Sequence, residues 1–439
     1  MRSLRSTLVL LVVLAGLVGY IYYLNREKPE NSTDSKKAFA KLNSDQIEEL
    51  RIKSADNQTT TLQKTGTDWT LVDPVKTEAD SNDVNAIASD LATMDIERVV
   101  DESPGDVKQY GLNPPRVEVA FRTKGGKDFR RVDIGDKTAT GGNVYARIQG
   151  EKRVVLLNSS LDPVFNKNTF ALREKKVVHF DRDKVDALDL SSGSMNFSFK
   201  RSNMEWTIQK PIMGRGEYST LEGIVERLAT AQMQGIVSDS ATDLKQYGLD
   251  KPDATITVSA GGMPMTLTLG KTENALVYAK DSTRPLIFTV APTLKTDTFK
   301  DLSDYRRKDL FDSRSFTATH VEYKRGADVL TFDKTTANGK DTWKNGAGKT
   351  IDTAKMEDLL AKTTALRADT FEPGTNPALK MPGLVVTVKF GDEKTSRMET
   401  VSFARQGTDV FAARSDEPGT AKLAAAPMDD VIKSLDALK

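Results

Sequence analysis

The hydrophobic positions of the chain begin with one long uncharged run near the N-terminus. Thr7 to Leu24 spans 18 residues without a charge. At about 1.5 Å per helical residue, this is just enough to cross a hydrocarbon core. Arg2 and Arg5 precede the run, and three tyrosines lie at its far end. A positive inner flank and an aromatic belt at the opposite interface predict a transmembrane helix with a cytoplasmic N-terminus.

Two interpretations of this segment stay open, a cleaved signal peptide and a retained signal anchor. The small-residue sequence Val13-Leu14-Ala15 suits cleavage, but the apolar run continues nine residues beyond it. We favour an anchor at residues 1–24, which places the N-terminus in the cytoplasm and the bulk of the chain on the outer side of the membrane. Residues 25–44 are polar and predict a flexible tether.

From residue 45 onward the pattern changes to alternating strands and amphipathic helices, and it repeats. The only three tryptophans, Trp69, Trp206 and Trp343, lie 137 residues apart. Each belongs to a short strand and is followed by apolar residues at helical spacing, then by strands with period-two alternation. We predict an α+β fold in which the transmembrane helix precedes three repeated units, each an antiparallel sheet plus helix. The units cover residues 45–180, 181–313 and 314–439, and the last one is divergent.

The pentapeptide KQYGL occurs in the first two units, at 108–112 and 245–249. Ser103 and Ser240 precede it at N-cap spacing, and Gly111 and Gly248 follow its last turn. The pattern predicts a two-turn helix that ends in a left-handed glycine. KQYGL is therefore interpreted as a structural seam of the repeat and not as an active motif.

These motifs together resemble a bacterial family known as domain-of-unknown-function family 4340. The resemblance rests on the tryptophan-led strand, the YGL turn followed by proline, a strand ending in glycine, YAR or YAK, and a basic junction. It covers nearly the whole chain after residue 45, although the third unit has LKMPGL at 379–384 and FAAR at 411–414 instead. The resemblance implies a single-span envelope protein that is often encoded beside an ABC-type transport system similar to the one linked to gliding motility. It implies no catalytic residues.

Composition narrows the chemistry further. The net charge is +1, and no long basic block is present, so nucleic acid is not an expected partner. The chain has no cysteine and only two histidines, His179 and His320. GAGKT at 346–350 would need a glycine at the place of Trp343 to complete a phosphate-binding loop. We therefore expect no cofactor, metal or nucleotide, and a protein that is not an enzyme.

Two sets of side chains are candidates for an interaction surface. The first junction has Arg173, Lys175 and Lys176, and the second has Arg306, Arg307 and Lys308 at the corresponding places. They form either a basic spot for an anionic partner or a set of cations at a helix end. Tyr145 with Arg147, and Tyr278 with Lys280, occupy alternate residues of one strand and so share a face. Asp133 and Asp136 beside Gly135 are expected to be solvated strand-end residues.

Three function classes were weighed on this basis. The first is a non-catalytic, membrane-anchored extracytoplasmic scaffold or accessory protein of an envelope complex, with protein partners that include an ABC-type transport system. The alternative is a module that binds glycan, peptidoglycan or another ligand. A hydrolase is disfavoured because no nucleophile and base can be paired from the sequence.

Overall fold

The computed structural model describes residues 37–240, 242–337, 339–391 and 395–438. The chain divides into two compact units, one ending at Lys175 and the other beginning at Lys176. The three sequence repeats are called copies, and the second compact unit contains two of them. The expected anchor at Thr7–Leu24 and most of the tether lie outside the described residues. Within the described ranges, no helix combines the length and the apolar character that crossing a bilayer requires.

One sheet topology occurs three times, with nine antiparallel strands in each sheet. Along each sheet, the fourth, third, second and first strands of the copy are followed by the sixth, seventh, eighth, ninth and fifth. The first and sixth strands therefore form the centre, and the short fourth and fifth strands form the edges. Short edges present few unpaired backbone groups, which limits pairing between sheets of different molecules.

The first sheet occupies the first unit. Its strands are β1 Ile47–Lys53, β2 Thr59–Thr65, β3 Asp68–Asp73, β4 Thr77–Glu78, β5 Arg98–Asp101, β6 Val117–Thr123, β7 Arg130–Lys137, β8 Asn143–Ile148 and β9 Val154–Asn158. Its helices are α1 Ser81–Thr93, α2 Leu161–Phe165 and α3 Thr169–Leu172, and short 3-10 turns cover Ser44–Gln46 and Lys108–Tyr110.

The second unit contains the other two sheets. The second sheet comprises β10 Val185–Ser192, β11 Met195–Ser202, β12 Glu205–Lys210, β13 Gly214–Arg215, β14 Gly235–Ser238, β15 Ala254–Ala260, β16 Met263–Glu273, β17 Leu276–Asp281 and β18 Ile287–Val290. Its helices are α4 Tyr218–Thr230, α5 Thr293–Thr296 and α6 Leu302–Tyr305, with 3-10 turns at Arg182–Lys184 and Lys245–Tyr247.

The third sheet follows the same order. It comprises β19 Ala318–Arg325, β20 Asp328–Ala337, β21 Lys340–Asn345, β22 Thr350–Ile351, β23 Thr370–Glu372, β24 Leu384–Phe390, β25 Arg397–Gln406, β26 Asp409–Arg414 and β27 Thr420–Leu423. Its helices are α7 Thr353–Thr364 and α8 Ala425–Asp436, with a 3-10 turn at Pro377–Lys380.

The repeated antiparallel sheet units are as the sequence predicts, but helices contribute less than an α+β label suggests. Each copy has one helix of 12 or 13 residues after the tryptophan strand, α1, α4 or α7. The apolar stripe of each helix is buried, and all three tryptophan rings lie in the cores. The sheets therefore dominate the fold, because each copy has nine strands but only two or three helices in the described residues.

The tether ends earlier than residue 44. Phe39 is buried in the first core, and its ring meets the edge of the Phe121 ring at a centroid distance of 4.9 Å. The Ala38 amide donates to the Met94 carbonyl at 2.9 Å. Residues 37–44 thus belong to the first unit, because Phe39 is buried in its core and Ala38 and Leu42 pack against that core.

The KQYGL segment is a single 3-10 turn and not the predicted two-turn helix. Its turns cover Lys108–Tyr110 and Lys245–Tyr247, and the expected serine caps are wrong. The side chains of Asp106 and Asp243 accept hydrogen bonds from the amides of Lys108 and Lys245 instead. The ending is as predicted, because Gly111 and Gly248 both have a left-handed conformation with φ of 67°.

A second glycine explains what the KQYGL turn packs against. A Cβ atom on Gly135 would lie 2.0 Å from the Tyr110 carbonyl oxygen, and one on Gly270 would lie 2.2 Å from that of Tyr247. The turn therefore rests directly on the strand that ends in glycine. At the corresponding register position the third copy has Ala404, consistent with its lack of the KQYGL turn.

Candidate functional site

A dense set of charged side chains joins the second and third sheets within the second unit. We call it the junction network, and it consists of Arg215, Arg306, Arg307, Asp309, Asp312, Glu399, Arg414, Asp416 and Glu417. Arg215 lies on the edge strand β13, Arg306 follows α6, and Arg414 ends β26. The fold brings them together because the basic junction runs beside the edge of the second sheet, where Gly216 and Arg306 form an isolated backbone bridge.

Glu417 is the common acceptor of the network. Its Oε1 accepts from Arg215 Nε, and its Oε2 lies 3.2 Å from Arg306 Nη2. The Arg306 side chain is only 4% exposed and that of Glu417 only 8%. A pair at this depth is stabilising only when both partners are present, because an unpaired buried charge is costly.

Arg414 organises the opposite side of the network. Its guanidinium reaches Asp416 Oδ2 at 2.7 Å and Glu399 Oε2 at 3.0 Å. Burial alone would lower the pKa of Arg414, but the carboxylates of Asp416, Asp312 and Glu399 raise it. Glu399 also accepts from the amides of Asp312 and Ser313, which ties the chain between the two sheets to β25.

Asp312 completes the link to the second sheet. Burial acts to raise the pKa of Asp312, yet Arg215, Arg307 and Arg414 together hold it below the usual 3.8. The distance from Arg215 Nη1 to Asp312 Oδ1 is 2.6 Å, and that from Arg307 Nη1 is 2.8 Å. Asp312 and Arg414 are therefore both held in their charged forms, and their ion pairs link the two sheets.

The expectation that Arg306 forms an exposed basic spot is wrong. Its guanidinium lies over the Phe371 ring at 4.1 Å from the centroid and donates to the Pro418 carbonyl at 3.0 Å. Arg173, its counterpart in the first unit, is also buried. Both residues form the same backbone bridge beside an edge strand, Arg173 with Ala79 and Arg306 with Gly216. Arg307 is partly exposed, but it is engaged with Asp309 and Asp312.

The tyrosine faces are occupied by contacts within each copy. The rings of Tyr110 and Tyr145 are 5.0 Å apart, and those of Tyr247 and Tyr278 are 5.1 Å apart. The KQYGL tyrosine thus covers the tyrosine of the YAR or YAK strand in both copies.

The partners of these tyrosines also have local roles. Arg147 Nη2 lies 3.3 Å from Asp133 Oδ2, so Asp133 is a buried ion-pair partner and not a solvated strand-end residue as expected. Lys280 donates to the carbonyls of Asp281 and Arg284. Hydrogen bonding to Glu273 and burial both raise the pKa of Tyr278.

The remaining candidates from the sequence, the GAGKT stretch and His320, make local structural contacts. GAGKT forms a tight turn between β21 and β22, where the Gly348 amide donates to the Asn345 carbonyl at 2.7 Å. His320 Nδ1 lies 2.7 Å from Asp333 Oδ1 at the protein surface. Among the residues that the structure describes, no group of three or more acidic, histidine or cysteine side chains is arranged to hold a metal ion.

A cavity of about 320 Å³ lies beside the junction network, and we call it the junction cavity. It is lined by Met204, Glu205, Trp206, Thr207, Arg215, Gly216, Glu217, Tyr218, Arg307, Asp309 and Asp312. Sequence reasoning missed this site and most of the junction network. One signal was available, since the edge strand of the first copy has Glu78 where the second has Arg215. Such a reversal of charge between two copies of one fold indicates that the side chain at this position pairs with a different residue in the second copy.

The comparisons with known proteins agree with the repeat. The family model described as "Domain of unknown function (DUF4340)" matches residues 69–222 and 206–384, which together make up more than half of the chain. The chain therefore belongs to the DUF4340 family. The two matches begin at Trp69 and Trp206, so each one starts at the tryptophan strand of a copy.

The comparisons with curated proteins and solved structures give no further support for a fold or a function. No curated protein matches the chain. One similar solved structure is a DNA polymerase sliding clamp from Pseudomonas aeruginosa, 8% identical over 89% of this chain and 94% of that chain, with a TM-score of 0.15. A likeness at that TM-score carries no argument about fold or function.

Proposed function

We propose that the protein is a non-catalytic scaffold or accessory subunit of a bacterial envelope complex. In this proposal residues 1–24 anchor it in the inner membrane, and its repeated sheets lie on the periplasmic side. The partners would be proteins of the complex, including the permease or ATPase of an ABC-type transport system. The membrane part of the proposal rests on the uncharged run Thr7–Leu24 and its flanking charges.

The observation that carries the scaffold role is the junction network. Its arginines and carboxylates are engaged with each other across two sheets, and Arg215 reaches both Asp312 and Glu417. Catalytic sites instead tend to keep a titratable group near neutral pKa for proton transfer. In the network, the pKa shifts of Asp312 and Arg414 move both groups further into their charged forms. Charge used in this way fixes the geometry of neighbouring modules, as a scaffold requires.

The experiment is purification of the tagged full-length chain from gently solubilised membranes, with identification of the recovered proteins. We expect stoichiometric recovery of a permease or ATPase subunit. The matched control is the same chain carrying Asp429→Asn, an exposed carboxylate on α8, and it should recover the same proteins. Recovery of the free chain alone, under conditions that keep other envelope complexes intact, would contradict the proposal.

The anchor is tested separately. Full-length protein should stay in the membrane fraction after alkaline washing, and protease added to the outside of spheroplasts should degrade the repeats. A chain that is released by the wash, or that is protected until the membrane is opened, would contradict the proposed topology.

A further inference from the structure

We propose that the junction cavity binds a basic side chain, preferably an arginine, presented by a protein partner. The inference rests on the envelope-complex function proposed above and names the chemistry by which a partner is recognised. The cavity volume of about 320 Å³ lies at the lower end of the range found for ligand sites, which starts at about 300 Å³. That size suits one long side chain and excludes a large organic cofactor.

The charges of the lining favour a cation. Two arginines and four carboxylates line the cavity, which leaves a formal charge of −2. Arg215 and Arg307 are both engaged with Asp312, and Arg307 also approaches Asp309 at 3.6 Å. The negative charge that remains available therefore belongs to the other two carboxylates, Glu205 and Glu217.

Glu205 has a weak partner. Its Oε1 lies 4.0 Å from Arg397 Nη1, at the limit for an ion pair, and both side chains are mostly exposed. Exposed pairs of this kind contribute on the order of 0–1 kcal/mol, so an incoming guanidinium can compete with Arg397 for Glu205.

Glu217 does not have the structural role of its counterpart in the first copy. Its counterpart in the first copy is Asp80, the N-cap of α1, whose side chain accepts from the Asp83 amide and pairs with Lys175. Glu217 takes the same N-cap position on α4 but makes no side-chain capping bond. Its carboxylate instead accepts from the Ser219 hydroxyl at 3.1 Å. Glu217 lines the cavity, and it takes part in none of the ion pairs among the described residues.

The rim of the cavity offers surfaces on which a guanidinium can stack. Tyr218 is 41% exposed and Met204 is 72% exposed, although both are large apolar side chains. In the first copy Ser81 corresponds to Tyr218 at the start of the helix, and Thr67 corresponds to Met204 just before the tryptophan strand. A planar guanidinium stacks on an aromatic face and binds carboxylates with two parallel hydrogen bonds, whereas an ammonium does neither as well. Arginine is therefore the preferred occupant.

The first experiment measures binding of two tripeptides to the full-length chain in detergent by saturation-transfer NMR. The probes are acetyl-Gly-Arg-Gly-amide and its citrulline counterpart, which has nearly the same shape without the charge. We expect the citrulline peptide to bind at least about tenfold more weakly, a difference of about 1.4 kcal/mol. Equal affinity of the two peptides, or no binding of the arginine peptide, would overturn the assignment.

The second experiment uses variants with matched loss of charge. Glu205→Gln with Glu217→Gln should weaken the arginine peptide about tenfold. Asp68→Asn with Glu226→Gln is the control, because Asp68 is the first-copy counterpart of Glu205 and Glu226 lies on α4 paired with Arg182. An unchanged thermal midpoint for both double variants shows that folding is intact. Full affinity in the Glu205/Glu217 variant would contradict the proposal.

The same variants separate this inference from the proposed function. If the wild-type chain recovers transport subunits and the Glu205/Glu217 variant recovers them equally well, the cavity is not the recognition site and the scaffold role stands. If the wild-type chain recovers nothing but discriminates arginine from citrulline, the cation site stands and the scaffold role fails.

Discussion

Arg306 Nη2 lies 3.2 Å from Glu417 Oε2, and this buried pair joins the end of the second copy to the third. The two residues are 111 positions apart in the chain. Because Glu417 also accepts from Arg215, one carboxylate contacts two arginines of the second copy. The two sheets of the second unit therefore depend on a single side chain for much of their electrostatic link.

Replacing that carboxylate should destabilise the second unit strongly. We expect Glu417→Gln to lower the free energy of unfolding by about 3–5 kcal/mol, because the buried Arg306 loses its carboxylate partner and Arg215 keeps only Asp312. Urea unfolding of the full-length chain, followed by tryptophan fluorescence, measures the change. Asp429→Asn is the matched control and should stay within about 0.5 kcal/mol, since its pair with Arg405 is exposed. A loss below about 1 kcal/mol for Glu417→Gln would refute the role of this pair.

The packing of the KQYGL turn makes a second prediction. Gly270→Ala should destabilise the second unit by about 3 kcal/mol, because the new Cβ needs the space of the Tyr247 carbonyl, at 2.2 Å. Gly223→Ala is the contrasting variant, since that glycine lies inside α4 with open space around it. It should stabilise the helix by about 0.5–1 kcal/mol. Similar effects of the two substitutions on the denaturation midpoint would show that the close contact is not required.

The lowered pKa of Asp312 predicts acid sensitivity. A carboxyl with a folded pKa below its unfolded value contributes stability above the unfolded pKa and loses it as the pH falls through the folded pKa. For Asp312 the contribution is complete above about pH 5 and is lost as the pH falls below the usual 3.8. Urea midpoints measured from about pH 3 to pH 7 should fall at the acid end. Asp312→Asn should flatten that decline and lower the plateau, and an unchanged acid slope in this variant would contradict the assignment.

Tyr305 predicts the opposite dependence at high pH. Burial is the main cause that raises its pKa from 10.0 to about 12. A group whose pKa is raised contributes stability that is complete below its unfolded pKa and is lost as the pH rises toward the folded value. An ultraviolet titration should therefore show Tyr305 ionising about two units late, while the buried Tyr323, whose pKa is raised further, ionises later still.

The tyrosine variant checks the same side chain by stability. The Tyr305 hydroxyl donates to the Thr298 carbonyl and accepts from the Lys300 amide. Tyr305→Phe should cost about 1–3 kcal/mol at neutral pH, because both backbone groups lose their partner. It should also remove the step of Tyr305 from the titration and leave the later step of Tyr323 in place, whereas Tyr218→Phe, at an exposed ring, should retain both.

The repeat could be predicted from the sequence because it rests on local patterns. The tryptophan strand, the amphipathic helix and the left-handed glycine each depend on residues within a few positions of one another. The burial of Val84, Ile87 and Leu91 follows directly from their helical spacing. The predicted length of the KQYGL helix was wrong. The amide of Lys108 donates to Asp106, two residues before it, and the distant serine does not cap the turn.

Short-range spacing was enough to predict the three copies, their strand and helix patterns and the left-handed glycine that ends KQYGL. The set of charges that are buried together depends on the fold. Arg306 resembles a surface cation in the sequence, but it lies under Phe371 and against Glu417. The fold likewise leaves the carboxylate of Glu217 without a capping bond and at the wall of the junction cavity. The partners of such charged side chains lie about a hundred residues away in the chain. Local residue spacing cannot predict these long-range contacts.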